Sequence, residues 1–198
     1  MFKSLLTLLT LSFCLQAGAA FAADDLPKGW FKAGSDPGGY EIRRDPQNIY
    51  TGAGARGQAN SISIRGLSTA RSGFTTLMQS IRAQNYLGKR VRLSAWVKSQ
   101  TLTGWAGLWM RIDGEGDKTL GFDNMQNRSI TGTIGWKQVA VVLDVPPQSK
   151  YIAFGLLSSG LGTVWMDGLK FEVVPKTVPT TNMNEQDSAE QPENLNLQ

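Results

Sequence analysis

The stretch of the chain best suited to chemistry is Thr103–Asp117, TGWAGLWMRIDGEGD. If it is a strand, side chains alternate between its two faces. Ala106, Leu108, Met110 and Ile112 then form a complete apolar face, the natural core side. Trp105, Gly107, Trp109 and Arg111 fall on the other face. A strand that has already buried one face has no need of two more tryptophans. Indole faces accept the C–H face of a pyranose, and Arg111 adds a rigid fork of donors for sugar hydroxyls. Gly107 leaves a dip between the rings. Trp96 falls on the polar side of its own strand and joins the same candidate surface, with Asp123, Asn124 and Gln126 as nearby acceptors and amides. Gln79 is a further polar group inside an otherwise apolar strand, TTLMQSI. Trp105 and Trp109 are about 13 Å apart along a strand, so one sugar ring cannot stack on both. Three readings of this face stand side by side: a ligand platform, a second small core covered by the 38–60 or 124–131 loops, or a protein contact.

Other chemistries are narrowed by composition. The chain has no histidine and a single cysteine, Cys14, near its start. Ser-His-Asp and Cys-His catalysis are excluded, as are His- or Cys-ligated zinc and copper. An enzyme built here would rest on carboxylates, with Asp113, Glu115, Asp123, Asp144, Asp167 and Glu172 as candidates. Glycoside hydrolysis needs two of them flanking one bond, and spacing fixes no such pair. Catalytic residues are therefore expected to be none.

Two motif matches fail their context. Gly52–Gly57, GAGARG, fits the dinucleotide-binding spelling, but QANSISIRG after it alternates like a strand, where that site needs a helix. The acidic turn Asp113-Gly-Glu-Gly-Asp117 resembles a calcium loop, yet Lys118 stands where glycine is required and Asn124 where the bidentate glutamate belongs. A solvated hairpin turn is the expected outcome. The sequon Asn127-Arg128-Ser129 carries no meaning beside a bacterial-type export signal.

That signal is residues 1–22: Lys3, an apolar run from Leu5 to Leu15, and Ala20-Phe21-Ala22 before the expected cleavage point. The run is too short for a membrane span. The expectation is a periplasmic or secreted protein. The net charge is +4, and four acids (Glu185, Asp187, Glu190, Glu193) lie past Pro175, so the body is more basic than the whole. Its arginines are scattered, which suits anionic envelope polymers and argues against a nucleic-acid partner. Three segments are expected: the export signal at 1–22, one domain at 23–174, and a disordered acidic tail at 175–198.

The body alternates with period two and is punctuated by glycines. The clearest strand is Arg90–Lys98, with Val91, Leu93, Ala95 and Val97 facing one way. Further strands are expected near 38–44, 60–66, 74–82, 105–113, 136–145, 150–158 and 162–174. About eight strands at roughly ten-residue spacing predict an all-β fold, an antiparallel β-sandwich of jelly-roll or Greek-key type. A closed barrel is the alternative.

The segment Gly73–Val174 resembles a bacterial jelly-roll module of the galactose-binding or carbohydrate-binding type. GFTTLMQSIRAQNYLGKRVRLSAWVKS, GWAGLWMRIDG, GFDNMQNRSITGTIGWKQVAVVLDVP and IAFGLLSSGLGTVWMDGLKFEVV carry the resemblance. Similar segments occur as accessory domains beside AraC-like regulators and erythromycin-esterase-like enzymes. The resemblance implies a galactose-binding-domain-like jelly roll. In the broader fold a structural calcium is common, with an acidic ligand before the last strand, near Asp167; here Gly168 replaces the second acid. The combined expectation is a non-catalytic exported module that binds a glycan or another polar small molecule and needs no cofactor. Its ligand residues are Trp105, Trp109, Arg111, Asp123, Asn124, Gln79 and Trp96. A carboxylate-based enzyme, or a protein-interaction subunit of an envelope complex, is the alternative.

Overall fold

The computed structural model describes residues 26–69, 73–116 and 118–183. Residues 1–22, expected above to be an export signal, and the end of the acidic tail lie outside them. Nine strands run in chain order: β1 (Phe31–Gly34), β2 (Tyr40–Asp45), β3 (Ser61–Gly66), β4 (Phe74–Arg82), β5 (Arg90–Asp113), β6 (Thr119–Asp123), β7 (Ile130–Asp144), β8 (Tyr151–Ser159) and β9 (Gly162–Val174). Every pairing is antiparallel. The fold is an antiparallel β-sandwich.

Strand β5 joins the two layers. Its 24 residues would reach about 80 Å if straight, far more than the width of a domain with a radius of gyration near 15 Å. It therefore bends and serves both sheets. Residues 90–100 pair with β7 on one side and β9 on the other. Residues 106–113 pair with β8 and β6. The first sheet reads β2-β3-β9-β5-β7 and the second β1-β4-β8-β5-β6. The bend lies between Val97 and Ala106, where the β5–β7 register slips three times and Thr101 takes φ 49°. Backbones crowd at this corner: a Cβ on Gly160 would stand 2.5 Å from the Gly104 nitrogen, so no larger residue fits.

The alternation read in the sequence is the alternation that packs. Val91, Leu93, Ala95 and Val97 from one half of β5 are buried with Leu108, Met110 and Ile112 from the other. Ile42, Ile64, Leu77, Val141, Ile152, Leu156 and Val164 complete the same core. Two strands escaped the sequence reading. β1 has four residues and exists only as an edge on β4. β6 follows the acidic turn, where Gly114 N–H donates to the Lys118 carbonyl and closes the hairpin. That turn is the solvated hairpin expected; Asp117 lies outside the described residues. GAGARG is an exposed loop leading into β3, with Gly54 and Gly57 at positive φ.

Past Val174 the chain stays on the body as far as Met183. Arg90 donates to the carbonyls of Lys176 (2.8 Å) and Val178 (2.5 Å). Thr181 N–H donates to Val142 O, and Met183 N–H to Phe122 O. The expected boundary at 174 is thus crossed by nine residues that composition marks as unable to bury themselves. Their order comes from hydrogen bonds that the body offers. Among the described residues no helix is long and apolar enough to span a membrane, a statement that leaves β-barrels aside.

Candidate functional site

The expected platform is split by the sheets. Trp105, Trp109 and Arg111 do lie on the outer face of the second sheet, as period two requires. Trp109, however, is only 8% exposed. It packs with Ala153 and Leu157, and Met78, Trp105 and Phe122 lean on the group. Its Nε1–H donates to Thr76 Oγ1 at 2.7 Å, and Thr76 Oγ1 in turn donates to Leu156 O at 3.0 Å. The dip at Gly107 is filled: a Cβ there would meet the Asn124 carbonyl at 2.7 Å and Met125 Cβ at 3.0 Å. The link between β6 and β7 thus closes on Gly107, while Trp109 belongs to a second small core built from its own sheet. Of this trio Arg111 alone is open, holding Asp113 through two parallel bonds of 2.7 and 3.1 Å.

The polar residues expected beside the platform do not join it. Gln79 is opposite Phe154, which is opposite Met110, so it faces the inside of the sandwich near Gly29. Asp123 is also opposite Met110 and fully buried. It accepts Met125 N–H at 2.8 Å and both Arg128 nitrogens, at 2.5 and 3.1 Å, and so anchors the β6–β7 link. Asn124 Oδ1 accepts Gln126 N–H at 3.0 Å, turning the chain. Sequence distance placed these groups near Arg111; strand parity took two of them to the opposite face.

Trp96 stands on the other sheet and is the centre of a different cluster. The outer face of the first sheet carries Arg92, Ser94, Trp96 and Lys98 from β5. Across from them stand Glu172, Lys170, Asp167 and Trp165 on β9, and Val142, Ala140 and Gln138 on β7. The 46–60 loop folds over one end. Tyr50 lies flat on Trp96, centroids 3.9 Å apart and planes 17° off parallel. Trp136 meets Tyr50 edge-on at 6.1 Å. Gly52 permits this, since a Cβ there would strike the Tyr50 ring. The loop is tied down by Asp167, whose Oδ2 accepts Tyr50 N–H at 2.7 Å. Asp45 Oδ2 takes Trp165 Nε1–H at 2.7 Å, and Lys98 sits 5.0 Å over the Trp165 ring while donating to Asn48 Oδ1 at 2.9 Å.

Asp167, the residue that the family resemblance places near a calcium, uses its other oxygen to accept Gly168 N–H at 2.5 Å. Gly168 has φ 60° and marks a bulge where the β5–β9 register slips opposite Trp96. Asp167 thus acts as a loop anchor. Among the described residues no three of the usual metal-ligating side chains gather.

Beside the aromatic cluster the first sheet opens into a groove of about 230 Å³, lined by Arg92, Ser94, Gln138, Ala140, Lys170 and Glu172. Arg92 Nε and Nη2 donate to Glu172 Oε1 at 3.0 and 2.6 Å, and Lys170 pairs with the same carboxylate. Bonds from Lys170 and then Arg92 hold the Glu172 carboxyl below its ordinary pKa. Asp45 is also held low: burial works against ionisation, but donors from Trp165, Asn48 and Gln47 outweigh it. Tyr50 and Trp136 were not singled out from sequence. Trp136 shares the parity of Gln138 on an expected strand, a usable signal; Tyr50 lies in an irregular loop and offered none.

Comparison with known proteins gives fold more than function. No family model matches the chain. It is 45% identical over 156 residues to the uncharacterized HTH-type transcriptional regulator YbfP of Bacillus subtilis (strain 168), covering 79% of this chain and 51% of that protein. The chain therefore spans about half the length of this curated relative. Among solved structures it is similar to the N-terminal tandem CBM22-1-CBM22-2 domain of Xyn10C from Paenibacillus barcinonensis, at TM-score 0.52 and 14% identity, over 79% of this chain and 44% of that one. It is also similar to the enzymatically active domain of bacteriophage CBA120 tailspike protein 4, at TM-score 0.51 and 13% identity, over 74% and 20% of the two chains. At such identities the likeness is one of fold, the carbohydrate-binding-module type of β-sandwich.

Proposed function

We propose that this chain is a non-catalytic glycan-binding module, exported by its N-terminal segment, whose ligand lies along the outer face of the first sheet. One observation carries this reading: the Tyr50–Trp96–Trp136 cluster stands next to a groove of planar and charged polar groups on the same sheet face. Aromatic rings take the apolar faces of sugar rings, and Ser94, Gln138, Arg92 and Lys170 reach hydroxyls with fixed geometry. The groove is smaller than the roughly 300–1,000 Å³ of pockets that engulf a ligand, so it suits a chain lying across the sheet. The similarity in fold to the CBM22 tandem domain supports the same class of ligand. A binding fold can serve an exported protein and a regulator alike, since function resides in the site.

The carboxylates support binding over hydrolysis. Asp123, Asp144, Asp167 and Glu172 are each held by arginine, lysine or backbone N–H donors. Asp144 and Glu172 are shifted down, whereas a general acid needs a raised pKa. A glycan array followed by titration calorimetry tests the reading. Binding of a neutral β-linked oligosaccharide that Trp136→Ala weakens at least tenfold is the expected result. Absence of any glycan ligand, or binding indifferent to both Trp136→Ala and Trp96→Ala, rejects it.

A second reading concerns the other sheet. Phe31 and Phe74, 45% and 36% exposed, share the outer face with Met78 and Trp105 and favour a protein contact there. Sedimentation of the wild type against Phe31→Ser with Phe74→Ser would expose self-association by this face.

A further inference from the structure

The outer face of the second sheet ends in a polar groove of about 920 Å³, away from the Trp109 core. Its walls include Ser80, Arg82, Arg111, Ser149, Lys150 and Tyr151. Arg82 and Tyr151 are direct partners across β4 and β8, and Tyr151 is opposite Asp113 on β5. The floor is held by backbone bonds: Lys150 N–H donates to Asp113 O at 2.7 Å and Ala83 N–H to Lys150 O at 3.0 Å.

Three features of this groove call for a ligand. First, its cations differ in what holds them. Arg111 is engaged by Asp113, and Lys150 is 3.9 Å from a Glu115 that is 90% exposed. Arg82 has no ion pair or hydrogen bond among the described residues. Second, Ser149 is 6% exposed, and its Oγ, shielded from solvent, has no hydrogen-bond partner. Buried hydroxyls are normally paired, so Ser149 is a polar group of the wall with hydrogen-bonding capacity to spare. Third, Tyr151 is 47% exposed, an aromatic ring beside the unpaired guanidinium.

We infer that this groove binds an acidic saccharide of the uronic acid type, with the sugar carboxylate on the Arg82 fork and its ring against Tyr151. A planar guanidinium grips a carboxylate through two parallel bonds. A bare inorganic anion would leave Tyr151 and most of the groove unused. A neutral sugar would leave Arg82 without its counter-charge. The inference shares the glycan class with the reading above but sits on the opposite sheet, so the two can fail separately.

The test is calorimetry of the intact protein with trigalacturonate, xylohexaose and sulfate. Trigalacturonate is expected to bind, with affinity falling as salt rises. Arg82→Ala and Tyr151→Ala are expected to weaken it at least tenfold and Arg82→Lys several-fold, with unchanged melting temperature. Trp136→Ala leaves it intact. Xylohexaose, the probe of the first sheet, shows the reverse pattern. The inference is overturned by absence of trigalacturonate binding, by affinity unchanged in Arg82→Ala, by loss in Trp136→Ala, or by sulfate competing at equal concentration.

Discussion

Two tryptophans on the same strand, Trp96 and Trp109, point away from the same core and meet different fates. Trp109 is closed in by side chains of its own sheet, Met78, Phe122, Ala153 and Leu157, and spends its N–H on Thr76. Trp96 is roofed by one ring, Tyr50, on a loop that ends beside an open polar groove. The strand pattern around them is alike. What differs is the cover: neighbouring side chains of the same sheet close over one, and a single aromatic from a loop lies over the other. An aromatic face of a sheet is thus closed over or left open according to its cover, and parity alone does not decide between them.

The comparison is most directly broken at Trp109. Trp109→Ala is expected to cost about 3–5 kcal/mol of stability, read as a lowered urea midpoint, while the folded fraction keeps its glycan affinity. Lost binding at unchanged stability would reverse the roles of the two faces. Trp136→Ala is the counterpart: at least a tenfold loss of affinity, about 1.4 kcal/mol, with a melting temperature within a degree or two of wild type.

Smaller changes sharpen the contrast. Thr76→Val keeps the shape but leaves the buried Trp109 N–H without an acceptor, at about 1–2 kcal/mol; an unchanged urea midpoint would show that the bond is not made. Acid bears on the first sheet. The Asp144 carboxyl is held down to about 2 by bonds from Arg90 and then Lys176. A carboxyl lowered in the folded state adds stability that is complete above its ordinary pKa of 3.8 and is lost as pH falls towards about 2. With its side chain a third exposed, screening reduces this to about 1 kcal/mol. The melting temperature should fall between pH 5 and 2.5, and less steeply in Asp144→Asn.

Much of the fold was legible. Strands near 60–66, 74–82, 150–158 and 162–174 lie within a residue of β3, β4, β8 and β9, because each alternates strongly and ends at a turn residue. β1 and β6 were not legible, being four and five residues long and defined by their partners. Two expected strands proved to be the halves of β5, since the bend at 100–105 reads as a break in pattern. The candidate site was legible only in part. Trp96 was named for its parity, but Tyr50 reaches it across 46 positions by loop closure, and Arg82 reaches Tyr151 only through pairing of β4 with β8.

By itself the sequence determined the all-β class, the inward faces of β5, the rejection of GAGARG as a nucleotide loop, and the exclusion of histidine chemistry. These rest on side-chain period and residue inventory, which are local properties. Tertiary structure alone decided that Gln79 and Asp123 face inward, that Trp109 is covered, and that residues up to 183 stay on the body. Those outcomes depend on which distant segment crosses which face, and no spacing along one strand records that.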